Sequence, residues 1–495
     1  MAPQPVLLWT DVVLWLLVLA LAVYVWHVRR SPNLRNSWGK VLADAPALCS
    51  ALVMLLFLGV TLLDSVHFRR ALPTAGSATA GIAYDTRTES VLDALLVDLV
   101  QSRESTYSLP LAVYAFTKET REVNGQNARI FPRLQFGGTH VKDPETEHVP
   151  DVLTRAAAGA AAGLALAVVT LLVVAFIATR RLGIGFGEGV QRIVRNQTRL
   201  PLRALLLTAA VIWIAGGATV ALAGEYHVLG TDRTGNDVLY QALKSVRTAF
   251  VIGTLATLAT LPFAIVFGIA AGYFRGWVDE VIQYLYTTLS SVPNVLLIAA
   301  CVLMVQVFID KNPELFETGA QRSDLRIFLL CVILGLTGWA NLCRLLRAET
   351  MKLRELEFVQ AATAFGVGHW RIMKRHIMPN VMHLVLITTV LEFSGLILYE
   401  AVLSYVGVGV DPSMNSFGGM INLARSEMSR DPIVWWSFAA AFAFMVTLVL
   451  AANLLADGVR DAFDPRARVF RPHGRVVPAA PVAVAGTDPA ALADR

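Results

Sequence analysis

The sequence predicts an all-α, polytopic membrane protein with about nine transmembrane helices. Of its 495 residues, 55% are hydrophobic and 16% are charged, and the mean hydropathy of +0.57 is too high for a soluble globular protein. The apolar residues are concentrated in runs of about 20, the length at which a helix crosses a bilayer. Lysine and arginine cluster beside these runs, so the net charge of +5 reflects membrane topology and no nucleic-acid partner is expected.

The first two runs predict a pair of N-terminal transmembrane helices within residues 1–63. The first run, about 7–26, lacks a basic start and is followed by positive charges such as Arg29 and Arg30. We therefore interpret it as a retained helix and not as a signal peptide. Because positive charge favours the cytoplasmic side, the N-terminus is expected outside the cell. The second run, about 46–63, then leads outward.

Residues 64–151 are the longest polar stretch and predict a small extracytoplasmic domain. A stretch of this length is exempt from the counting of positive charges, so its location follows from the parity of the neighbouring helices. Its alternation of apolar and polar residues is weak, and only residues 128–136 predict a short strand.

Residues 152–223 predict an additional pair of transmembrane helices, about 152–178 and 204–223. The first is rich in alanine and glycine, which suits close helix packing in lipid. Arginines in the intervening loop place that loop inside. The loop also contains Gly183, Gly185, Gly187 and Gly189. They lack the strand and helix context of a nucleotide-binding loop.

The core, residues 224–468, contains five further apolar runs at about 249–272, 282–308, 328–346, 381–401 and 434–456. Before them, turns at Gly230 and Gly235 precede a helix that is expected to begin near Asp237, with Asn236 or Asp237 as its N-cap. Pro293 is expected to kink the second run. The odd number of helices places the C-terminus inside, and the tail 469–495, rich in Ala, Pro and Val, is expected to be disordered.

The polar segment 347–380, which we call the elbow, separates the third and fourth core runs. It is expected in the cytoplasm because of Arg347, Lys352, Arg354, Arg371, Lys374 and Arg375. We predict two helices that are separated at Gly366. The first has an apolar stripe at every third position: Leu353, Leu356, Val359 and Ala362. In the second, Trp370, Met373 and Ile377 share one face, and Pro379 ends the helix.

The elbow resembles the EAA loop of ABC importer permeases, the helix pair that docks on the ATPase. The resemblance lies in Gln360-Ala361-Ala362, Gly366 and Met378-Pro379 at the family's spacing, with Gln360 where the family usually has Glu. The ending HIMPN at 376–380 is similar to the dipeptide, oligopeptide and nickel branch. The LGTD segment at 229–232, EAVLSYVGVGVDP at 400–412 and DAFDP at 461–465 are also similar to that branch.

This resemblance implies a type I permease core in a bacterial inner membrane that acts in ATP-driven import. The branch implies that the imported substrates are peptides. It implies a heterodimer with a second permease, two ATP-binding subunits and an extracytoplasmic substrate-binding protein. The chain has no G-x-x-x-x-G-K-[ST] loop, so ATP and Mg²⁺ are expected on the partner subunits, with no catalytic or metal-binding residues here. The implied ATPase-coupling residues are Gln360, Ala361, Ala362, Gly366, His369, Trp370, Met373 and Pro379.

Two carboxylates in the run 381–401 are candidates for the translocation path. Burial in lipid costs a carboxylate ~2.5 to 3.5 kcal/mol on insertion scales, so such groups usually face protein or water. Glu392 and Glu400 lie roughly 80° apart around a helix, and both could meet the cationic end of a peptide. The alternative is a structural hydrogen bond to a neighbouring helix, or for Glu400 a position at the outer interface.

Two other classes of function remain as alternatives. An ion-coupled secondary transporter or channel predicts inverted repeats and broken helices around a central site, and we find no such repeat in the sequence. A membrane-anchored sensor that uses residues 64–151 leaves the five-run core without a role. A stoichiometric ATPase partner is required only by the importer.

Overall fold

The computed structural model describes residues 3–71, 84–123, 126–183, 185–198, 200–316 and 318–463. This part of the chain is helical, with two small sheets. Within it, eight helices are long and apolar enough to cross a membrane, or nine if the bent pair α12 (Gly319–Gly338) and α13 (Ala340–Arg354) is one span. The all-α prediction and the expected number of spans are confirmed. The predicted disordered tail and the end of the closing motif lie outside the described residues.

The N-terminal region contains three helices, α1 (Trp9–Arg30), α2 (Pro32–Ala43) and α3 (Ala45–Asp64). A three-stranded antiparallel sheet joins β1 (Gln4–Val6) to β2 (His67–Arg69) and then to β3 (Glu89–Ser90). Strand β1 precedes α1, whereas β2 follows α3. The start of the chain and the polar stretch therefore lie on the same side of these helices.

The polar stretch, which we call the insert (residues 65–143), contains two short helices and a hairpin. These are α4 (Val91–Leu95), α5 (Val97–Gln101), β4 (Glu119–Val123) and β5 (Gln126–Ile130). The predicted strand 128–136 is thus wrong in its second half. Pro132 has no N–H to donate to a ladder, so the strand ends before it. The next helix, α6 (Pro144–Leu182), begins before the predicted domain boundary at Asp151.

Helix α6 packs closely against α8 (Leu202–Ala223), and α7 (Phe186–Val194) connects them. Glycines allow this approach, because a Cβ on Gly163 would lie 2.2 Å from the Trp213 carbonyl oxygen and one on Gly159 would lie 2.4 Å from the Gly217 oxygen. The alanine and glycine content of the third run therefore serves backbone packing. The loop glycines Gly187 and Gly189 lie within α7.

The core is built around α9 (Val238–Phe274), with α10 (Gly276–Ser291), α11 (Asn294–Lys311), α16 (Met378–Val406), α17 (Phe417–Glu427) and α18 (Trp436–Phe463). Asp237 is the N-cap of α9, as predicted, and its carboxylate accepts a hydrogen bond from the Tyr240 N–H at 3.1 Å. The prediction that Pro293 kinks one helix is wrong, because the chain breaks into α10 and α11. A proline forces the preceding residue into extended geometry, and Val292 has φ −91° and ψ 134°.

A buried cluster of charges attaches α1 to the core. The Arg247 guanidinium of α9 donates to the Asp11 carboxylate of α1 at 2.6 Å, and the Thr10 N–H donates to Asp324 of α12 at 3.0 Å. Arg247, Asp11 and Asp324 are all at most 3% exposed. These groups hold the additional N-terminal helix on α9 and α12. Removing one of them would leave a buried charge without its partner, which strongly destabilises a protein.

Candidate functional site

The first half of the elbow ends at Gly366, as predicted. Helix α14 (Glu357–Ala364) is closed by the Gly366 N–H, which donates to Thr363 at 3.0 Å, and the Val367 N–H, which donates to Ala362 at 3.1 Å. This pair of bonds is a Schellman motif, which needs a left-handed residue, and Gly366 has φ +71°. No atom lies within 4 Å of a Cβ built on Gly366, so glycine is needed for its conformation and not for space.

The elbow contains a second break that the sequence did not predict. Helix α13 ends at Arg354, and α14 begins at Glu357. The Gln360 side-chain amide donates to the Glu355 carbonyl oxygen at 3.2 Å, which satisfies one of the carbonyls left free at the end of α13. An ionised glutamate at position 360 has no donor for this bond.

The prediction that Pro379 ends the second elbow helix is wrong. Helix α15 (His369–Ile372) continues through a π-turn, Met373–Ile377, directly into α16, which contains Pro379 in its first turn. Proline removes an N–H and collides with the preceding turn of an α-helix. A π-turn holds one extra residue, and this wider turn directly before Pro379 relieves the collision.

The π-turn also changes which side chains face the core. Ile372 and Ile377, five residues apart, are both fully buried, whereas Trp370 is 71% exposed. The predicted common face of Trp370, Met373 and Ile377 is therefore wrong. The extra residue of the π-turn rotates Trp370 away from the core, and Met373 stays half-buried against it.

Three polar contacts attach the elbow to the end of α9. The Tyr273 hydroxyl lies 2.8 Å from His369 Nδ1, and the Arg354 guanidinium donates to the Tyr273 carbonyl oxygen at 2.7 Å. Arg275 donates to Glu355 at 2.5 Å. The first two contacts converge on one residue at the last turn of α9, so the elbow is attached to the end of that helix at two points.

A fourth contact and a shared apolar core complete this attachment. The Arg347 guanidinium of α13 binds both oxygens of Asp279 in α10, at 2.5 and 2.7 Å. This bidentate geometry fixes orientation as well as distance. Val359, Ile372 and Ile377 are buried in the same apolar cluster as Tyr273. The elbow thus has an inner side that belongs to the core.

The outer side of the elbow carries large apolar groups. Phe365 is 87% exposed, Trp370 is 71% exposed and Phe358 is 44% exposed. Sequence reasoning missed both phenylalanines, although their spacing of seven residues is that of one helix face. The other predicted coupling residues Gln360, Ala361, Gly366, His369 and Pro379 are also exposed, and Ala362 is half-buried.

The two candidate path carboxylates differ in their surroundings. Glu400 is 1% exposed and accepts a hydrogen bond from Ser404 at 2.6 Å within α16. Its Oε1 also lies 3.0 Å from a Cβ built on Gly418, so α17 packs directly over it. Glu392 is half-buried and forms no hydrogen bond or ion pair with the residues that the structure describes. A role of either carboxylate in the path stays a prediction.

The acidic residues before α9, Asp232 and Asp237, have structural contacts. Asp232 accepts hydrogen bonds from the N–H groups of Thr234 at 2.8 Å and Asn236 at 2.9 Å, which closes the turn. Asp237 caps α9 and also lies 2.8 Å from His227 Nδ1. Neither carboxylate needs a ligand to satisfy it.

His227 connects this turn to the insert. Glu104 of the insert accepts hydrogen bonds from the N–H groups of residues 135–137, and its Oε1 lies 3.5 Å from His227 Nε2. That distance is long for a hydrogen bond, so Glu104 acts mainly through its charge. Burial alone lowers the pKa of His227, but the bond to Asp237 and the charge of Glu104 outweigh it and raise the pKa to about 9.

The spans define a polytopic membrane protein, and comparisons with known proteins identify its family. The family model for "Binding-protein-dependent transport system inner membrane component" matches residues 264–469. The chain is 32% identical over 248 residues to the oligopeptide transport system permease protein OppC of Mycobacterium bovis, covering 50% of this chain and 79% of that protein. It is 30% identical over 240 residues to the glutathione transport system permease protein GsiD of Pectobacterium atrosepticum, covering 48% and 73%.

Among solved structures, the methionine ABC transporter MetNI in inward-facing conformations has a TM-score of 0.34 at 15% identity, covering 46% of this chain and 96% of that one.

The class of protein is therefore the permease subunit of an ABC importer. The chain belongs to the family of binding-protein-dependent inner-membrane transport components, in the branch of the peptide permeases. It is a multi-pass protein of the bacterial inner membrane and a transport subunit. The family match begins at residue 264, so α1 to α8 and the insert lie outside it.

Proposed function

We propose that this chain imports peptides, as one of two different permeases that together enclose the translocation path. The proposal is supported by its relatives, which include permeases named for oligopeptides and for glutathione, itself a peptide. A separate extracytoplasmic binding protein delivers the substrate. Two ATP-binding subunits hydrolyse ATP and hold its Mg²⁺, since this chain has no phosphate-binding loop.

The proposed topology places the N-terminus and the insert outside and the elbow and C-terminus in the cytoplasm. It is supported by the pairing of β1 with β2, which keeps the N-terminus and the insert on one side. It is also supported by the exposed cations Arg371, Lys374 and Arg375, which favour the cytoplasmic side of the elbow.

In the proposed mechanism, the elbow is the lever through which the ATPases move the permease. The observation that carries this is the double attachment of Tyr273, by its hydroxyl to His369 and by its carbonyl oxygen to Arg354. When the ATPases close on ATP, the elbow moves with them and shifts α9 and α16 together. This movement opens the path to one side of the membrane at a time.

The exposed aromatic residues of the elbow are the proposed contacts with the ATPase. Phe365 and Trp370 offer large apolar surface that is not buried within this chain. Apolar anchors of this kind dominate the binding energy at protein interfaces. Met373 holds the opposite side of the helix on the core. Gly366 sets the angle between the two halves of the lever.

The insert has a proposed role in seating the binding protein or a long substrate. Its attachment to the turn before α9 through Glu104 and His227 supports a fixed position beside the entrance. Deletion of residues 75–139 tests this role. Loss of binding-protein docking or of uptake supports it, whereas unchanged docking and uptake remove it.

The decisive experiment is purification of the chain from its native membrane with its partners, followed by peptide-stimulated ATPase assays and peptide uptake into proteoliposomes. The importer predicts a stoichiometric ATPase and ATP-dependent uptake. An ion-coupled transporter predicts uptake that follows an ion gradient without any ATPase.

A further inference from the structure

Two adjoining cavities lie where the insert meets the core. One, of about 620 Å³, lies between the insert and helices α9 and α12. The other, of about 840 Å³, extends between α9, α11, α12 and α17. Both cavities are lined by Arg87, Arg326, Asp411, Ser413, Met414 and Asn415. The two cavities thus adjoin along a shared wall, and we call them together the vestibule. Each of them has the volume of a small-molecule site.

Most cations of the vestibule are neutralised by carboxylates. The pairs are Lys244 with Asp64, Arg247 with Asp11, Arg326 with Asp411, and Arg322 with Asp310. The first two have N–O distances of 2.6 Å. These pairs join α9 to α1 and α3, and α12 to α11 and to the segment after α16. Their charge is already compensated, so they hold the walls in place and attract a charged ligand only weakly.

Two arginines of the vestibule differ from the others. Arg87 of the insert lines both cavities, and Arg233, in the turn before α9, lines the larger one. Both are exposed, and neither forms an ion pair with any residue in the described ranges. In the sequence, residues 72–83 of the insert contain no Asp or Glu. Among the residues that the structure describes, the vestibule is therefore bordered by two guanidinium groups that have no carboxylate partner.

A guanidinium group is the side chain best suited to a carboxylate, because its parallel N–H groups match the two oxygens. A peptide presents a carboxylate at its C-terminus. Further polar side chains that line the larger cavity, including Gln306 and Asn422, offer donors and acceptors for the backbone amides of the peptide.

We propose that the vestibule binds the C-terminal carboxylate of the transported peptide through Arg87 and Arg233. This inference rests on the proposed function. It gives the insert a direct part in substrate recognition by the permease, separate from any contact with the binding protein.

The test is direct binding of alanine peptides of two to five residues, and of their C-terminal amides, to the complex in lipid nanodiscs without the binding protein. Arg87→Gln and Arg233→Gln are compared with wild type, singly and together. Arg121→Gln is the matched control, because Arg121 is an exposed arginine of the β4–β5 hairpin outside the vestibule. All three arginines are exposed, so thermal stability should not change.

We expect wild type to bind the free acids about three- to tenfold more tightly than the amides, the range for a charge-assisted contact in a partly hydrated site. The double variant should bind both alike, Arg87→Lys should keep part of the preference, and Arg121→Gln should keep all of it. Equal binding of acids and amides by wild type, no binding of either, or a preference that survives in the double variant overturns the inference.

Uptake in proteoliposomes with ATP and the binding protein separates the two levels of the proposal. If wild type takes up the free alanine peptides but shows no carboxylate preference in binding, only the inference fails. If wild type shows no ATP-dependent uptake of peptides, the proposed function fails and the inference falls with it.

Discussion

Replacement of Phe365 by serine should weaken the binding of the partner ATPase without destabilising the permease. Phe365 is 87% exposed in this chain, so the substitution removes almost no internal contact. Phe365 is the first residue after α14, and the substitution leaves Gly366 and the Schellman motif intact. We therefore expect an unchanged melting temperature for the isolated permease.

The size of the effect follows from the area that docking would cover. An aromatic side chain buries at least ~150 Å² at an interface, which at ~25 cal/mol per Å² corresponds to about 4 kcal/mol. Association loses part of this gain to restricted motion and imperfect packing. The expected loss is therefore about 1 to 3 kcal/mol, or about 5- to 150-fold in affinity for the ATPase.

The assay is titration of the purified ATPase onto the permease pair in nanodiscs. Binding is followed by biolayer interferometry or by a fluorescent label on the ATPase. Phe131→Ser is the control, since Phe131 is an exposed aromatic residue of the insert, on the opposite side in our topology. An affinity that is the same for wild type, Phe365→Ser and Phe131→Ser would refute the assignment of the exposed elbow as the docking surface.

Three further predictions address the rest of the molecule. His227→Gln should lower the free energy of unfolding most at about pH 6, by at most about 3 kcal/mol. The difference between variant and wild type should vanish as pH rises through about 9, because the raised pKa of His227 stabilises the fold only while the imidazole is charged. Urea denaturation at several pH values checks this. Gly163→Ala should lower the free energy of unfolding by about 1 to 3 kcal/mol, because its Cβ collides with the α8 backbone. Gly216→Ala should have no such effect, since there is open space around its Cβ. Equal melting temperatures of the two variants would contradict this prediction. Tyr273→Phe removes the hydrogen bond with His369 and should lower stability by only about 1 kcal/mol. It should raise the ratio of ATP hydrolysed to peptide transported. An unchanged ratio would exclude this contact from coupling.

Much of the fold could be predicted because membrane spans follow from composition and length alone. The N-cap at Asp237 and the stop at Gly366 could also be predicted, since both depend on the local chemistry of one residue. The break of the second core run at Pro293 was placed correctly but expected as a kink. The choice between a kink and a break depends on the packing of both segments, which a local pattern does not contain.

The elbow shows where sequence reasoning stopped. A helical period of 3.6 residues assigns Trp370 and Ile377 to one face, but the π-turn adds a residue between them and separates them. Ile372 and Ile377 are buried because the elbow packs against the core in that register, whereas Phe365, directly after α14, is exposed. Neither could be derived without knowing the partner helix.

The buried cluster of Arg247, Asp11 and Asp324 shows a second limit. Its members come from three segments separated by more than 70 residues each, and each lies near the end of a predicted span, where charge is ordinary. Only the assembled fold shows that they neutralise one another. For the same reason, the vestibule could not be inferred from sequence, nor could the lack of an ion pair between Arg87 and the residues that the structure describes.

The central claim is that the elbow couples ATP hydrolysis on partner subunits to movement of this permease. The most direct measurement is ATPase activity and peptide uptake of the co-purified complex for wild type, Gly366→Pro and Trp370→Asp, with Trp370→Phe as the conservative control. Proline cannot adopt φ +71° and has no N–H for Thr363, and aspartate places a charge in the proposed apolar contact. We predict that both variants assemble poorly or hydrolyse ATP without transport, while Trp370→Phe stays close to wild type. Uptake that persists in both variants, with no ATPase co-purified, would contradict the account and favour an ion-driven transporter.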